Sequence, residues 1–79
     1  MPGTETIFET LDVRGESCPM PLLKAKRALQ RLPSGAVLRV LSTDRGSERD
    51  FESFGRIAGH LISCEELSED VLQLTIKKA

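Results

Sequence analysis

Cys18 is the residue of this sequence best placed to do chemistry. It lies in Gly15-Glu16-Ser17-Cys18-Pro19-Met20-Pro21, between an alternating apolar run, Ile7 to Val13, and an amphipathic helical run that opens at about Pro19. Proline suits the first turn of a helix, where backbone N–H groups lack an intrahelical partner. Cys18 is then the N-cap or one residue from it, and a thiol there faces the positive end of the helix dipole, which favours thiolate. With Pro19 at N1 and Pro21 at N3, two first-turn donors are missing and only the Met20 N–H remains nearby. The sulfur is therefore expected in a positive field without a cage of donors, on a backbone stiffened by both prolines. That is an accessible nucleophile with a pKa near ambient pH, the optimum for thiol exchange. The plain alternative is a cysteine that merely precedes a helix.

Other soft or charged groups compete for a role. Cys64 would serve a dithiol redox site, but the chain has no Cys-x-x-Cys, and Cys64 falls on an inward strand face as a small core residue. Cys18, His60 and Cys64 lack paired zinc-ligand spacing, so no metal is expected. Nor is any cofactor called for. His60 follows a helix end, where it would meet the last carbonyls. Arg14, Arg45 and Arg49 would add positive charge near the sulfur, or simply be solvated loop residues. Asp44 reads as a turn residue.

The elements that must position Cys18 are legible from periodicity. Met1 to Thr6 reads as a loose tail. Ile7 to Val13 alternates as a strand, with Leu11 and Val13 on one face, and Gly15 breaks it. Pro19 to Leu32 is a helix that buries Leu22, Ala25, Ala28, Leu29 and Leu32. Met20 and Leu23 lie off that stripe, beside Arg27, one turn past the thiol. Lys24 and Arg31 add to a basic helix surface. Pro33-Ser34-Gly35 ends the helix. Ala36 to Thr43 is a second strand, and this strand–helix–strand order makes a right-handed parallel crossover.

Ser47-x-x-Asp50 resembles a capping box opening a second helix that runs to about Ala58, with Phe51, Phe54, Gly55, Ile57 and Ala58 as its apolar face. Gly59 stops it. His60 to Leu67 and Val71 to Lys77 form a hairpin around Ser68-Glu69-Asp70, with Ile62, Cys64, Leu72, Leu74 and Ile76 inward. The fold class is α+β: a two-layer α/β sandwich, βαβαββ, with a four-stranded mixed sheet and two helices on one face. Helices of such a unit begin above the carboxyl ends of the parallel strands, so Cys18 and the segment Asp44 to Arg49 share one end of the molecule.

Composition bounds the rest. Seventy-nine residues allow one domain, and three Phe with no Trp or Tyr must help fill a small core. Eleven basic and twelve acidic residues leave a net charge of −1, which argues against DNA or an acidic membrane surface as partner. No stretch has the length of a signal or a membrane span. Two cysteines without a signal point to a reducing compartment, hence the cytoplasm.

The pattern Leu11-Asp12-x-x-Gly15-x-x-Cys18-Pro19-x-Pro21, then Lys26, Leu29, Gly35, Asp44, Asp50 and Gly59-His60, resembles the TusA/SirA-like family of small sulfur carriers from Leu11 to the carboxyl end. Two departures lie away from Cys18: Asp44-Arg45 where members often have Asp-Pro, and Phe51-Glu52-Ser53-Phe54 where they have an Ile-Pro-x-Trp-like start.

The resemblance implies a sulfurtransferase that carries a persulfide on Cys18, with Gly15, Pro19 and Pro21 as supports. It implies a donor such as a cysteine desulfurase and an acceptor sulfur-relay protein. Routes fed by such carriers include tRNA thiolation, molybdenum-cofactor assembly, sulfur oxidation and selenium metabolism. Met20, Leu23, Lys24, Arg27 and Arg31 form the expected docking surface, on a chain expected to be a monomer. The alternative class is an RNA- or protein-binding regulatory module that uses the basic first helix without thiol chemistry. The lack of an exposed aromatic platform weighs against RNA.

Overall fold

A computed structural model describes residues 7–79; the tail expected at Met1 to Thr6 lies outside the described residues. The elements follow the order β1 (Ile7–Asp12), α1 (Met20–Arg31), β2 (Val37–Ser42), α2 (Ser47–Ala58), β3 (Leu61–Ser68) and β4 (Val71–Lys77). The sheet order is β1-β2-β4-β3, with β1 parallel to β2 and both β2–β4 and β3–β4 antiparallel. This is the expected mixed sheet, and β3 runs in the same direction as β1 and β2.

Alternation places Leu11 on β1, Leu38 and Val40 on β2, Leu72, Leu74 and Ile76 on β4, and Ile62 and Cys64 on β3 toward one face. The helices close that face. Ala25, Ala28, Leu29 and Leu32 meet Val13, Leu38 and Val40, while Phe51 is fully buried among them. Burial of this kind supplies most of the folding drive, at about 25 cal/mol per Å² of apolar surface.

Three expectations about the helices need correction. First, α1 begins at Met20, with Pro19 at the N-cap position. The prolines thus occupy N-cap and N2, so Pro21 alone removes a helical donor. Pro21 is also buried, making it part of the core as well as a stiffener. Second, Ser47 does not cap α2. Gly46 occupies the N-cap position, and the Ser47 hydroxyl turns inward to share a buried 2.8 Å hydrogen bond with Ser42 Oγ. Third, Ile57 is 86% exposed. Six residues past Phe51 it sits about 120° off the buried stripe at 100° per residue. Ala58, the last helical residue, is also exposed.

Gly55 is required where α2 meets β3. A Cβ there would overlap the Ile62 side chain and approach His60 O at 3.2 Å. The carboxyl end of α1 is held from outside the helix: Lys78 Nζ donates to Leu29 O and Leu32 O, each at 2.6 Å. His60 does not serve the α2 carbonyls with its ring. Its Nδ1 accepts the Ala79 N–H at 3.0 Å, and the ring lies 5.2 Å from that of Phe54.

Candidate functional site

The parallel β1–α1–β2 unit carries two loops to one end of the molecule, and both are tied to each other. After β1 the Val13 N–H donates to Leu41 O at 2.9 Å. The chain then turns at Gly15, whose φ of +86° lies in the left-handed region that favours glycine. Its N–H donates to Thr43 Oγ1 at 2.9 Å, joining the first loop to the second. Open space surrounds the position where a Cβ would stand, so the demand at Gly15 is purely conformational.

Asp44 fixes the next contact. Its Oδ2 accepts the Cys18 N–H at 2.7 Å and its Oδ1 accepts the Gly46 N–H at 3.1 Å. Its own N–H donates to Ser42 Oγ at 3.1 Å, the hydroxyl bonded to Ser47. Asp44 is thus more than a turn residue: one carboxylate pins the α2 start and the cysteine backbone together, and a buried serine pair holds it from beneath.

Cys18 is exposed, and the peptide bond to Pro19 is cis. The Met20 N–H donates to Ser17 O at 3.0 Å, and the Leu23 N–H donates to Pro19 O at 3.1 Å as α1 begins. The thiol itself reaches α2, where Sγ donates to Asp50 Oδ2 at 3.3 Å. This overturns the expected electrostatics. The Asp50 hydrogen bond, then desolvation, then the charges of Asp50 and Asp44 push the Cys18 thiol up from its ordinary value. Cys18 lies two residues before α1, and the charged groups that act on its sulfur are the carboxylates of Asp50 and Asp44.

An open bay of about 570 Å³ adjoins the sulfur, lined by Cys18, Arg45, Gly46, Glu48, Arg49, Asp50 and Glu52. Arg45 is directed elsewhere in part, donating to Glu66 Oε2 at 3.0 Å and to Glu69 O. Arg14 does not reach the thiol: it pairs with Asp12 at 2.8 Å and holds that carboxyl at about 2. Of the three arginines expected near the sulfur, Arg45 and Arg49 line the bay.

On α1, Met20 and Leu23 are 37% and 41% exposed, and Arg27 is exposed with them. Lys24 pairs with Glu16 at 2.7 Å and Arg31 with Glu9 at 3.0 Å. These pairs thin the basic face on which an RNA-binding module would rely. Lys26 instead lies 5.3 Å from the centre of the Phe54 ring. Cys64 is partly buried and packs against the core, where desolvation first and the nearby carboxylates next push its thiol up. Among the described residues no group of three or more His, Cys, Asp or Glu is arranged to hold a metal ion, and no helix is long and apolar enough to cross a membrane.

Asp50, spaced from Ser47 like a capping residue, belongs to the site instead. It stands 32 positions from Cys18. Two helices that start at the same end of a sheet bring their first turns level, and that was the available signal.

Fold and site together define a small α/β sandwich that offers one reachable thiol at the mouth of its leading helix. Residues 9–78 match the family model described as Sulfurtransferase TusA. A relative from Neisseria meningitidis serogroup A is 45% identical over 69 residues, spanning 87% of this chain and 93% of its own. The Allochromatium vinosum sulfur carrier protein TusA is 37% identical over 71 residues, covering 90% and 93%. The crystal structure of a SirA-like protein from Desulfitobacterium hafniense superposes with a TM-score of 0.79 at 29% identity, over 86% of this chain and 93% of that one. The chain belongs to the TusA/SirA-like family of sulfur carriers.

Proposed function

We propose that this protein accepts sulfane sulfur as a persulfide on Cys18 from a donor protein, such as a cysteine desulfurase, and relays it to an acceptor protein in the cytoplasm. The observation that carries the reading is the exposed Cys18 Sγ beside an open bay, on a backbone pinned by Asp44. In the loading step Cys18 Sγ, as thiolate, bonds to the terminal sulfur of the donor persulfide. The donor S–S bond breaks, and its electron pair leaves on the donor thiolate. The proton lost by Cys18 passes to solvent and is recovered by the donor thiolate, so nothing is oxidised overall.

Donor and acceptor dock on the exposed α1 stripe of Met20, Leu23 and Arg27, with Lys24 and Arg31 at its margin. Two apolar side chains ringed by charge beside a reactive group suit a transient interface. Gly15 and Pro21 hold the thiol in place through backbone conformation and core packing, and Pro19 marks the helix entry.

Incubation with a cysteine desulfurase and cysteine, followed by mass spectrometry of the intact chain, tests the reading. One added sulfur on the wild type and on Cys64→Ser, with none on Cys18→Ser, is expected. Equal loading of Cys18→Ser, or no loading of the wild type, overturns it.

A further inference from the structure

We propose that Asp50 determines how tightly Cys18 holds its sulfur, tipping the carrier toward release; this rests on the persulfide reading above. The empty state is the one with a built-in partner: the Cys18 thiol donates to Asp50 Oδ2 at 3.3 Å. That hydrogen bond needs the proton on sulfur. A persulfide is a stronger acid than its parent thiol, so the loaded sulfur is anionic at neutral pH. It has no proton to donate, and it faces the same carboxylate.

The surroundings repeat this bias. From the β2–α2 loop and α2, the carboxylates of Asp44, Glu48, Asp50 and Glu52 stand at or beside the bay, against the guanidinium groups of Arg45 and Arg49. Arg45 is shared with Glu66. On the cysteine's own loop the charges are already paired, Arg14 with Asp12 and Glu16 with Lys24. The upward push on the Cys18 thiol from Asp50 and Asp44 has the same sign: the protonated, empty form is favoured and an anion at this position is disfavoured.

Release then balances without an added oxidant or reductant. An acceptor thiolate bonds to the terminal sulfur, the S–S bond to Cys18 breaks, and its electron pair returns to Sγ. Sγ takes up the proton that the acceptor thiol gave to solvent, and the hydrogen bond to Asp50 re-forms. Removing the carboxylate charge weakens the empty state and relieves the loaded one, so the exchange equilibrium shifts toward the loaded carrier.

The test is an exchange equilibrium with glutathione persulfide and glutathione at pH 7, in a Cys64→Ser background, read as the loaded-to-empty ratio by mass spectrometry. For Asp50→Asn the ratio is expected to rise by about threefold to tenfold, the modest end of a charged hydrogen bond because the site is open to solvent. The Cys18 titration, followed by thiolate absorbance, is expected to move to lower pH in the same variant. Asp50→Glu, which keeps the charge, is expected to stay nearer the wild type in both readouts. If Asp50→Asn fails to fold, Asp50→Ser carries the same test. An unchanged ratio in a variant that still loads overturns the role of Asp50 alone. A wild-type chain that takes no sulfur from glutathione persulfide or from a desulfurase overturns the carrier reading beneath it.

Discussion

Ser42→Ala is the substitution that tests how the site is supported from below. Ser42 Oγ has two partners, the buried Ser47 hydroxyl at 2.8 Å and the Asp44 N–H at 3.1 Å. Both serines are almost fully buried. Removing Ser42 Oγ strands two polar groups at once, each costing about 1–3 kcal/mol when left unpaired away from water. The Asp44 N–H is only partly buried and sits at the low end of that range. The expected loss is therefore about 2–4 kcal/mol.

Ser47→Ala is different, because Ser42 Oγ keeps the Asp44 N–H. Its loss should be about 1 kcal/mol. The double variant should cost less than the two single losses added, by about 1 kcal/mol, since the stranded Ser47 hydroxyl is gone as well. Urea unfolding with an unchanged m-value measures all three. In Ser42→Ala, amide exchange at Cys18 should also quicken, because Asp44 holds that N–H and has lost its own tether. Equal costs for the two single variants, or strict additivity in the double one, would refute the reasoning.

Gly55→Ala should destabilise, although alanine is the better helix former by about 1 kcal/mol, because forcing a methyl against Ile62 costs about 1–3 kcal/mol; thermal unfolding should show a lower Tm, and the loss on combining it with Ile62→Ala should be smaller than the two single losses added. Alkylation with a limiting reagent at pH 8, mapped by peptide mass spectrometry, should modify exposed Cys18 before partly buried Cys64. For pH, the folded Cys18 thiol is raised above its ordinary value of 9.0, so its contribution is complete below that value and is lost as pH rises through the folded one. In a Cys64→Ser background, stability should therefore fall above pH 9 in the parent chain and fall less in Cys18→Ser.

The sandwich was legible because its signals are local. Alternation at Leu11 and Val13, the stripe from Leu22 to Leu32, and the stops at Gly35 and Gly59 each come from a few neighbouring residues. Together they give the element order βαβαββ, which the strands and both helices follow; the sheet order β1-β2-β4-β3 rests on pairings that local patterns do not fix. The same topology correctly put Cys18 and the Asp44 to Arg49 segment at one end. What resisted reading was pairwise and long-range. Ser47 and Asp50 have the spacing of a cap, yet each turned to a partner on another element, Ser42 and Cys18. Ile57 was drawn into the apolar face by its hydrophobicity, although its angle on the helix excludes it. The sign of the field at the sulfur is hidden for the same reason: the helix pole is visible in sequence, and a carboxylate arriving from 32 positions away is not.

The grip of Lys78 on the far end of α1 has a practical consequence. Its ammonium answers two carbonyls at the negative pole of the helix whose other end supports Cys18. Lysine-acylating reagents should therefore reach it later than exposed Lys26. Once it is acylated, both carbonyls lose a cationic partner. Chemical labelling that looks harmlessly remote would then fray the last turn of the pedestal, and surface-immobilised samples coupled through amines would report a looser protein than the same chain attached by other means.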